Sequence, residues 1–305
     1  MDGPHGAALS AEGFGLKGPR GWTFRDVTFS AGPGSLVAVE GPSGSGRTCL
    51  LLALTGRMRS TQGRAEVGGE RLPGRLAAVR GFSALGPVPG VSELDPSLTV
   101  AEHLRERALL RRRFDGSLRS LLHPRAERAA ARAAVGTALE TAGLDLADLP
   151  KAERTSVRDL ERLEALRLSV ALALMGRPRL LAVDDTDLKL SAQDRALAWD
   201  LLRGVADAGT TVLAVCSEAP EGALVVRTRP AEDDSAPIGA PAEEPTGATA
   251  GEPNGATAGD REASRSGPVD PGAARPGPGE AAPATADDTT TRKDTADAIA
   301  ETGRA

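Results

Sequence analysis

Residues 41–48 read Gly-Pro-Ser-Gly-Ser-Gly-Arg-Thr, which fits the phosphate-loop pattern G-x-x-x-x-G-K-[ST] at every fixed position except the lysine, replaced here by Arg47. The flanks fit as well. Ser35-Leu-Val-Ala-Val-Glu40 is a short apolar run of strand type, and Cys49-Leu-Leu-Leu-Ala-Leu54 is an apolar helix start. A strand that enters a Gly-rich turn and leaves as a helix presents unpaired backbone N–H groups and a positive dipole end at one spot, which suits a di- or triphosphate. The pattern nominates Gly41, Ser43, Gly44, Ser45, Gly46, Arg47 and Thr48 as phosphate contacts. A Gly/Ser-rich turn without a ligand would account for the loop's composition but not for its strand–helix setting.

The 305 residues are not uniform. All the aromatic residues (Phe14, Trp22, Phe24, Phe29, Phe82, Phe114, Trp199) lie before Pro230, whereas residues 231–305 are dominated by Pro, Ala, Gly, Thr, Asp and Glu. That stretch lacks the apolar surface to offset its ordering entropy and is expected to be a disordered tail. It carries 15 acidic and 6 basic residues, a net of −9, so the chain's formal charge of −5 leaves about +4 for residues 1–230. The acidity belongs to the tail, and charge makes no case for nucleic acid as a partner of the folded part. About 230 residues suffice for one α/β domain with a genuine core.

Cys49 and Cys216 lie in apolar segments far apart and read as buried small hydrophobes, and the three histidines have no ligand spacing. No apolar run reaches the ~18 residues of a membrane span and no basic-then-apolar leader opens the chain, so a cytoplasmic location is expected. Only four lysines occur against 33 arginines, which allows Arg47 to be simple drift in a lysine-poor chain.

Leu180-Leu-Ala-Val-Asp184-Asp185 is a second apolar strand ending in acids. A parallel strand beside the first would bring Asp184 to Thr48, where the pair could hold Mg²⁺. A helix at about 192–208 and a third strand, Thr210–Val215, follow. Strands alternating with helices imply a parallel sheet with ligands at its carboxyl ends.

Over residues ~8–227 the order of blocks resembles the ATP-binding subunit of an ABC transporter. Gly32-Pro-Gly34 stands where that family has its "pGe" turn, and the phosphate loop follows. Val88-Pro-Gly90 with Leu98-Thr-Val-Ala-Glu-His-Leu104 resembles "VPQ…LTVxENL". Arg177-Pro-Arg-Leu-Leu-Ala-Val-Asp-Asp185 resembles "xPxLLLLDE", and Val212-Leu-Ala-Val-Cys-Ser-Glu218 resembles "xxAVTHD". The resemblance implies a P-loop NTPase fold of ABC type: a mostly parallel sheet core, a small antiparallel β part, and an inserted helical subdomain at about 101–175. It also implies Mg²⁺ on Thr48 and Asp184, Asp185 in the catalytic carboxylate position, and an aromatic upstream of the loop under the base. Phe14 is favoured there over Trp22.

The blocks that would do chemistry are altered. The family's LSGGQ falls on Leu160-Glu-Arg-Leu-Glu164, which puts Glu161 in the serine position and Leu163 on a glycine. Its glutamine after "VP" is Gly90, its switch histidine is Ser217, and its catalytic glutamate is the shorter Asp185. Phosphoryl transfer depends on positioning and electrostatics, so these changes imply weak hydrolysis. The resemblance implies ATP and Mg²⁺ as cofactors, an integral membrane permease as partner, homo- or heterodimers of nucleotide-binding domains, and a place at the inner face of the plasma membrane. A hydrolysis-deficient regulatory module, or another P-loop enzyme such as a small-molecule kinase, are the alternatives. The arginines of the helical region (Arg105, Arg107, Arg111, Arg132) read as a solvated face, and the resemblance implies a groove for a permease helix lined by residues 90–98, with Val91, Leu94 and Leu98 beside the acids Glu93 and Asp95.

Overall fold

The computed structural model describes residues 5–19, 21–114 and 124–229. The expected tail, 231–305, lies outside the described residues. The sheets account for the sequence pattern directly. Strands β3 (Leu36–Glu40), β7 (Leu180–Val183) and β8 (Thr211–Cys216) carry almost uninterrupted apolar residues and sit in a parallel sheet of order β6-β7-β8-β3-β9, with β6 Ser83–Leu85 and β9 Leu224–Arg227. Strands of that kind are buried on both faces. Alternation along them splits the interior in two. Leu36, Ala38, Leu181, Val183, Val212 and Ala214 face one apolar cluster, and Val37, Val39, Leu180, Ala182, Leu213 and Val215 face the other.

The second cluster is closed by α1 (Arg47–Leu54) and by an antiparallel sheet of order β2-β1-β4-β5. Its strands are β1 Leu9–Gly18, β2 Gly21–Ala31, β4 Gln62–Val67 and β5 Glu70–Leu72, and the short helix α2 is Leu76–Phe82. The first cluster is closed by α3 (Val100–Phe114), α4 (Pro124–Thr141), α5 (Arg162–Leu174) and α6 (Ala192–Asp207). The segment Leu98–Leu104 gains a local explanation. The Thr99 hydroxyl accepts the Glu102 amide at 3.3 Å while the Glu102 carboxylate accepts the Thr99 amide at 2.7 Å, a reciprocal cap that starts α3.

The strand order corrects one expectation. β7 is not beside β3; β8 lies between them, with Val37 opposite Leu213 and Leu181 opposite Val212. Asp184 still arrives at Thr48, because all three strands end at the same edge of the sheet.

The arginines of α3 also prove more than a solvated face. Arg107 Nε donates to the Leu172 carbonyl at 3.0 Å and Arg111 Nη1 to the Met175 carbonyl at 2.7 Å. Both cations therefore close the carboxyl end of α5, where unpaired carbonyls and the negative dipole end favour positive charge. Burial lowers the pKa of the Arg107 guanidinium from its usual value, which marks it as a group committed to the interior. Replacing it leaves the Leu172 carbonyl without its charged donor. Arg107→Ala is expected to cost about 1.5–3 kcal/mol in urea unfolding, the range for a hydrogen bond to a charged group, whereas alanine at the exposed Arg105 should change little.

Candidate nucleotide site

The loop between β3 and α1 is shaped by close contacts. Gly46 is the N-cap of α1 at φ 79°, and a Cβ placed on it would stand 2.1 Å from the Thr23 carbonyl oxygen of β2. The loop thus lies on the backbone of β2 at a position that requires glycine for both its dihedral and its space. Leu50 N–H donates to the Gly46 carbonyl at 2.9 Å, so the helix begins at once. Its first turn holds no acidic side chain, and the amides of residues 47–49 have no intrahelical acceptor, which leaves the end open to an anion. Ser43 and Gly44 are exposed at the rim, while Gly41, Gly46, Arg47 and Thr48 are half-buried.

Ser45 departs from expectation. It is fully buried, its hydroxyl pairs with the Thr228 hydroxyl at 2.7 Å, and its amide donates to the Pro42 carbonyl at 3.2 Å. A Cβ on Gly41 would meet Thr228 Oγ1 at 2.4 Å and Ser45 Oγ at 2.7 Å, so loop and Thr228 are packed without spare room. Ser45 anchors the loop from below rather than lining its mouth. Thr228, just past β9, is a residue that no sequence motif marks.

Across the mouth stands the edge of the parallel sheet. The Thr48 hydroxyl donates to Asp184 Oδ2 at 2.7 Å, and Asp184 Oδ1 accepts the amide of Asp185 at 3.0 Å. Asp184 is 3 % exposed, and burial is the largest influence raising its pKa above the usual carboxylate value, partly opposed by the Thr48 hydrogen bond. Asp185 has φ 49°, a left-handed conformation that aspartate tolerates better than most residues. It borders a cleft of about 390 Å³ together with Asp184, Glu93, Arg162, Leu94 and Leu188. Arg47 Nη1 donates to the carbonyl of Cys216 at the end of β8. Ser217 is exposed, and its amide donates to the Asp187 carboxylate at 2.9 Å.

Phe14 is not a base platform. It is 0 % exposed and its ring packs on Phe24 with centroids 5.8 Å apart. Trp22, the other aromatic candidate, is half-buried on β2 next to Thr23, and Lys17 Nζ lies 5.4 Å from its ring centroid. Gly90 sits at φ 72° in an exposed turn whose amide is accepted by Glu93 at 3.0 Å, and Asp95 accepts the Ser97 amide at 2.8 Å. Both acids expected to face a partner are engaged in local turns.

Cys216 is buried as expected, whereas Cys49 is half-buried beside Thr48; both thiols are free. Burial raises both pKa values, that of Cys216 to about 12, so neither serves as a thiolate nucleophile at neutral pH. At the start of α5, Glu161 is the N-cap and the Glu164 carboxylate accepts its amide at 2.8 Å. The positive end of this helix therefore carries two carboxylates of its own.

With this geometry in place, the comparisons with known proteins are informative. A family model described as ABC transporter matches residues 24–187, more than half of the chain. Nod factor export ATP-binding protein I of Cupriavidus metallidurans is 33% identical over 181 residues, covering 59% of this chain and 53% of that protein. The protein of the same name from Ralstonia nicotianae is 31% identical over 213 residues, covering 67% and 58%. The chain thus spans a little over half the length of the curated relatives it matches. Among solved structures, the dimeric cassette MJ0796 of a bacterial ABC transporter superposes with TM-score 0.58 at 18% identity, covering 74% of this chain and 96% of that one. Its post-hydrolysis state bound to ADP and Pi gives 0.54 at 19%, covering 69% and 88%. At such identities the likeness establishes the fold.

The raised pKa of Asp184 gives a signed prediction. As pH rises from the unfolded carboxylate value to the higher folded one, the folded chain keeps a proton that the unfolded chain has lost, so stability falls across that window and the penalty is complete at neutral pH. Asp184→Asn removes the penalty and keeps an oxygen for Thr48. It is expected to raise Tm at pH 7, with the gain shrinking as pH falls toward the usual carboxylate range; thermal melts across pH check this.

Proposed function

The chain belongs to the ABC transporter family, and we propose that it is an ATP-binding subunit that binds Mg-ATP and hydrolyses it slowly. The observation that carries the reading is the 2.7 Å hydrogen bond from Thr48, at the start of α1, to the buried Asp184 at the end of β7. It brings together the two hard oxygen donors that a phosphate-bound cation needs. Among the described residues no cluster of three or more His, Cys, Asp or Glu is poised for a metal. A resident Mg²⁺ would take most of its ligands from phosphate and water, in keeping with its habits. When bound, Mg²⁺ would neutralise charge on the phosphate oxygens. The rest falls to this chain: the loop amides and Arg47 hold phosphate, and Trp22 replaces Phe14 as the surface for the base.

Slow hydrolysis is supported by the groups that face the phosphate end. Asp185 is one methylene shorter than glutamate on a left-handed backbone, Ser217 is short and exposed, and Gly90 offers no side chain. Glu161 and Glu164 give the start of α5 a charge that repels the γ-phosphate of a second copy, if the chain pairs as MJ0796 does. That last observation also favours a second reading, a module in which nucleotide holds one conformation and turnover is incidental. In both readings a separately supplied membrane permease is the partner and the cytoplasmic face of the membrane the location. The relatives' names describe export, and among the described residues no helix is long and apolar enough to cross a membrane.

Calorimetry with Mg-ATP on the full chain tests the core of the proposal; absence of heat with every nucleotide would overturn it. Turnover of the isolated chain is expected below ~1 s⁻¹, the low end of ordinary enzymes, and Asp185→Glu combined with Ser217→His is expected to raise it. For the partner, Val91 is the informative position because it is 53% exposed, while Glu93 and Asp95 are tied into turns. Val91→Asp should reduce recovery of a membrane protein after crosslinking in cells and leave calorimetric affinity for ATP unaltered.

A further inference from the structure

The cation of the phosphate loop is tied to the end of the neighbouring strand, β8. Arg47 Nη1 donates to the carbonyl of Cys216, the last residue of β8. The next two amides, of Ser217 and Glu218, both donate to the carboxylate of Asp187, at 2.9 and 3.2 Å. Asp187 is itself 7 % exposed and lies in the turn that follows β7, two residues beyond Asp185. A continuous path of hydrogen bonds thus runs from Arg47 of the loop, through the end of β8, to the turn that carries Asp185.

A lysine could not hold this path in the same way. An ammonium is a compact point charge on a flexible stem, whereas a guanidinium presents five N–H donors in a rigid plane. One arm can stay on a carbonyl while another meets an anion. We infer that Arg47 is a positioning residue that joins bound phosphate to the segment Cys216–Glu218 and, through Asp187, to the turn bearing Asp185. The inference rests on the phosphate-binding reading of this site. It makes two departures into one: the hydroxymethyl group of Ser217 is too short to reach phosphate, and the residue at position 47 reaches back to the same strand end instead. Drift in an arginine-rich chain accounts for the identity of residue 47 but not for its bond to Cys216.

Hydrogen exchange on the full chain, read at the amides of Ser217 and Glu218 with and without saturating Mg-ATP, tests the link, with calorimetry run in parallel. In the wild type, nucleotide is expected to slow exchange at both amides by about tenfold or more. Arg47→Lys keeps a positive charge and is expected to saturate at higher nucleotide concentration while the slowing disappears. Asp187→Asn, which leaves Arg47 in place, is expected to raise basal exchange at both amides. A lysine variant that slows exchange as much as the wild type overturns the link. So does a lysine variant that binds no nucleotide, because the guanidinium would then serve affinity alone. So does a wild type that binds nucleotide without slowing. A wild type that gives no heat with nucleotide fails the phosphate reading, and the link falls with it.

Discussion

The site depends on three parallel strands, β3, β8 and β7, ending together at one edge of a sheet buried on both faces. With both faces apolar, it is the close fit of side chains in each cluster that holds the register. A one-residue slip would exchange the two apolar clusters and move every side chain to the wrong side. With that register held, Thr48 and Asp184 meet although a whole strand separates the elements that carry them, and Cys216 ends between them, within reach of Arg47. The chemistry is placed by apolar residues that never touch it: Val37, Val39, Leu213 and Val215 on one face, Leu36, Ala38, Val212 and Ala214 on the other.

What could be read from the sequence was what is local. A glycine loop between an apolar strand and an apolar helix, and acids closing the run Leu180–Val183, each carry their meaning within about ten residues. Pairing order does not, and so β8 between β3 and β7 was missed. Phe14 is favoured under the base only because the resemblance asks for an aromatic upstream of the loop; its burial follows from the local register. Leu9 and Ala11 point inward, and strict alternation would turn residue 14 outward, but the pairing register shifts between Ala11 and Phe14, with Gly13 at φ 54°, and carries the ring into the core. Bulges of this kind reset which residues face in and leave no plain mark in composition. The sequence does not mark Thr228 or the structural role of Arg107 and Arg111, because their partners, Ser45, Leu172 and Met175, are distant along the chain.

The departures from the family pattern do not fall evenly. The elements that the family pattern assigns to phosphate and metal within the chain are close to complete: loop, helix start, Thr48, Asp184. Those that would meet a second copy or handle water are changed, and the change at the start of α5 is the largest in electrostatic terms. A helix end that could welcome an anion is instead closed by its own carboxylates.

The hydroxyl pair between Ser45 and Thr228 has a mechanical consequence. Thr228 follows directly on β9, an edge strand paired in parallel with β3, and the chain continues from there into residues 230–305. Tension applied to that continuation would load β9 in shear along β3, and the first side-chain bond in its line is the one that anchors the phosphate loop. Pulling on the segment beyond Thr228 is, physically, pulling on the floor of the Gly-rich loop.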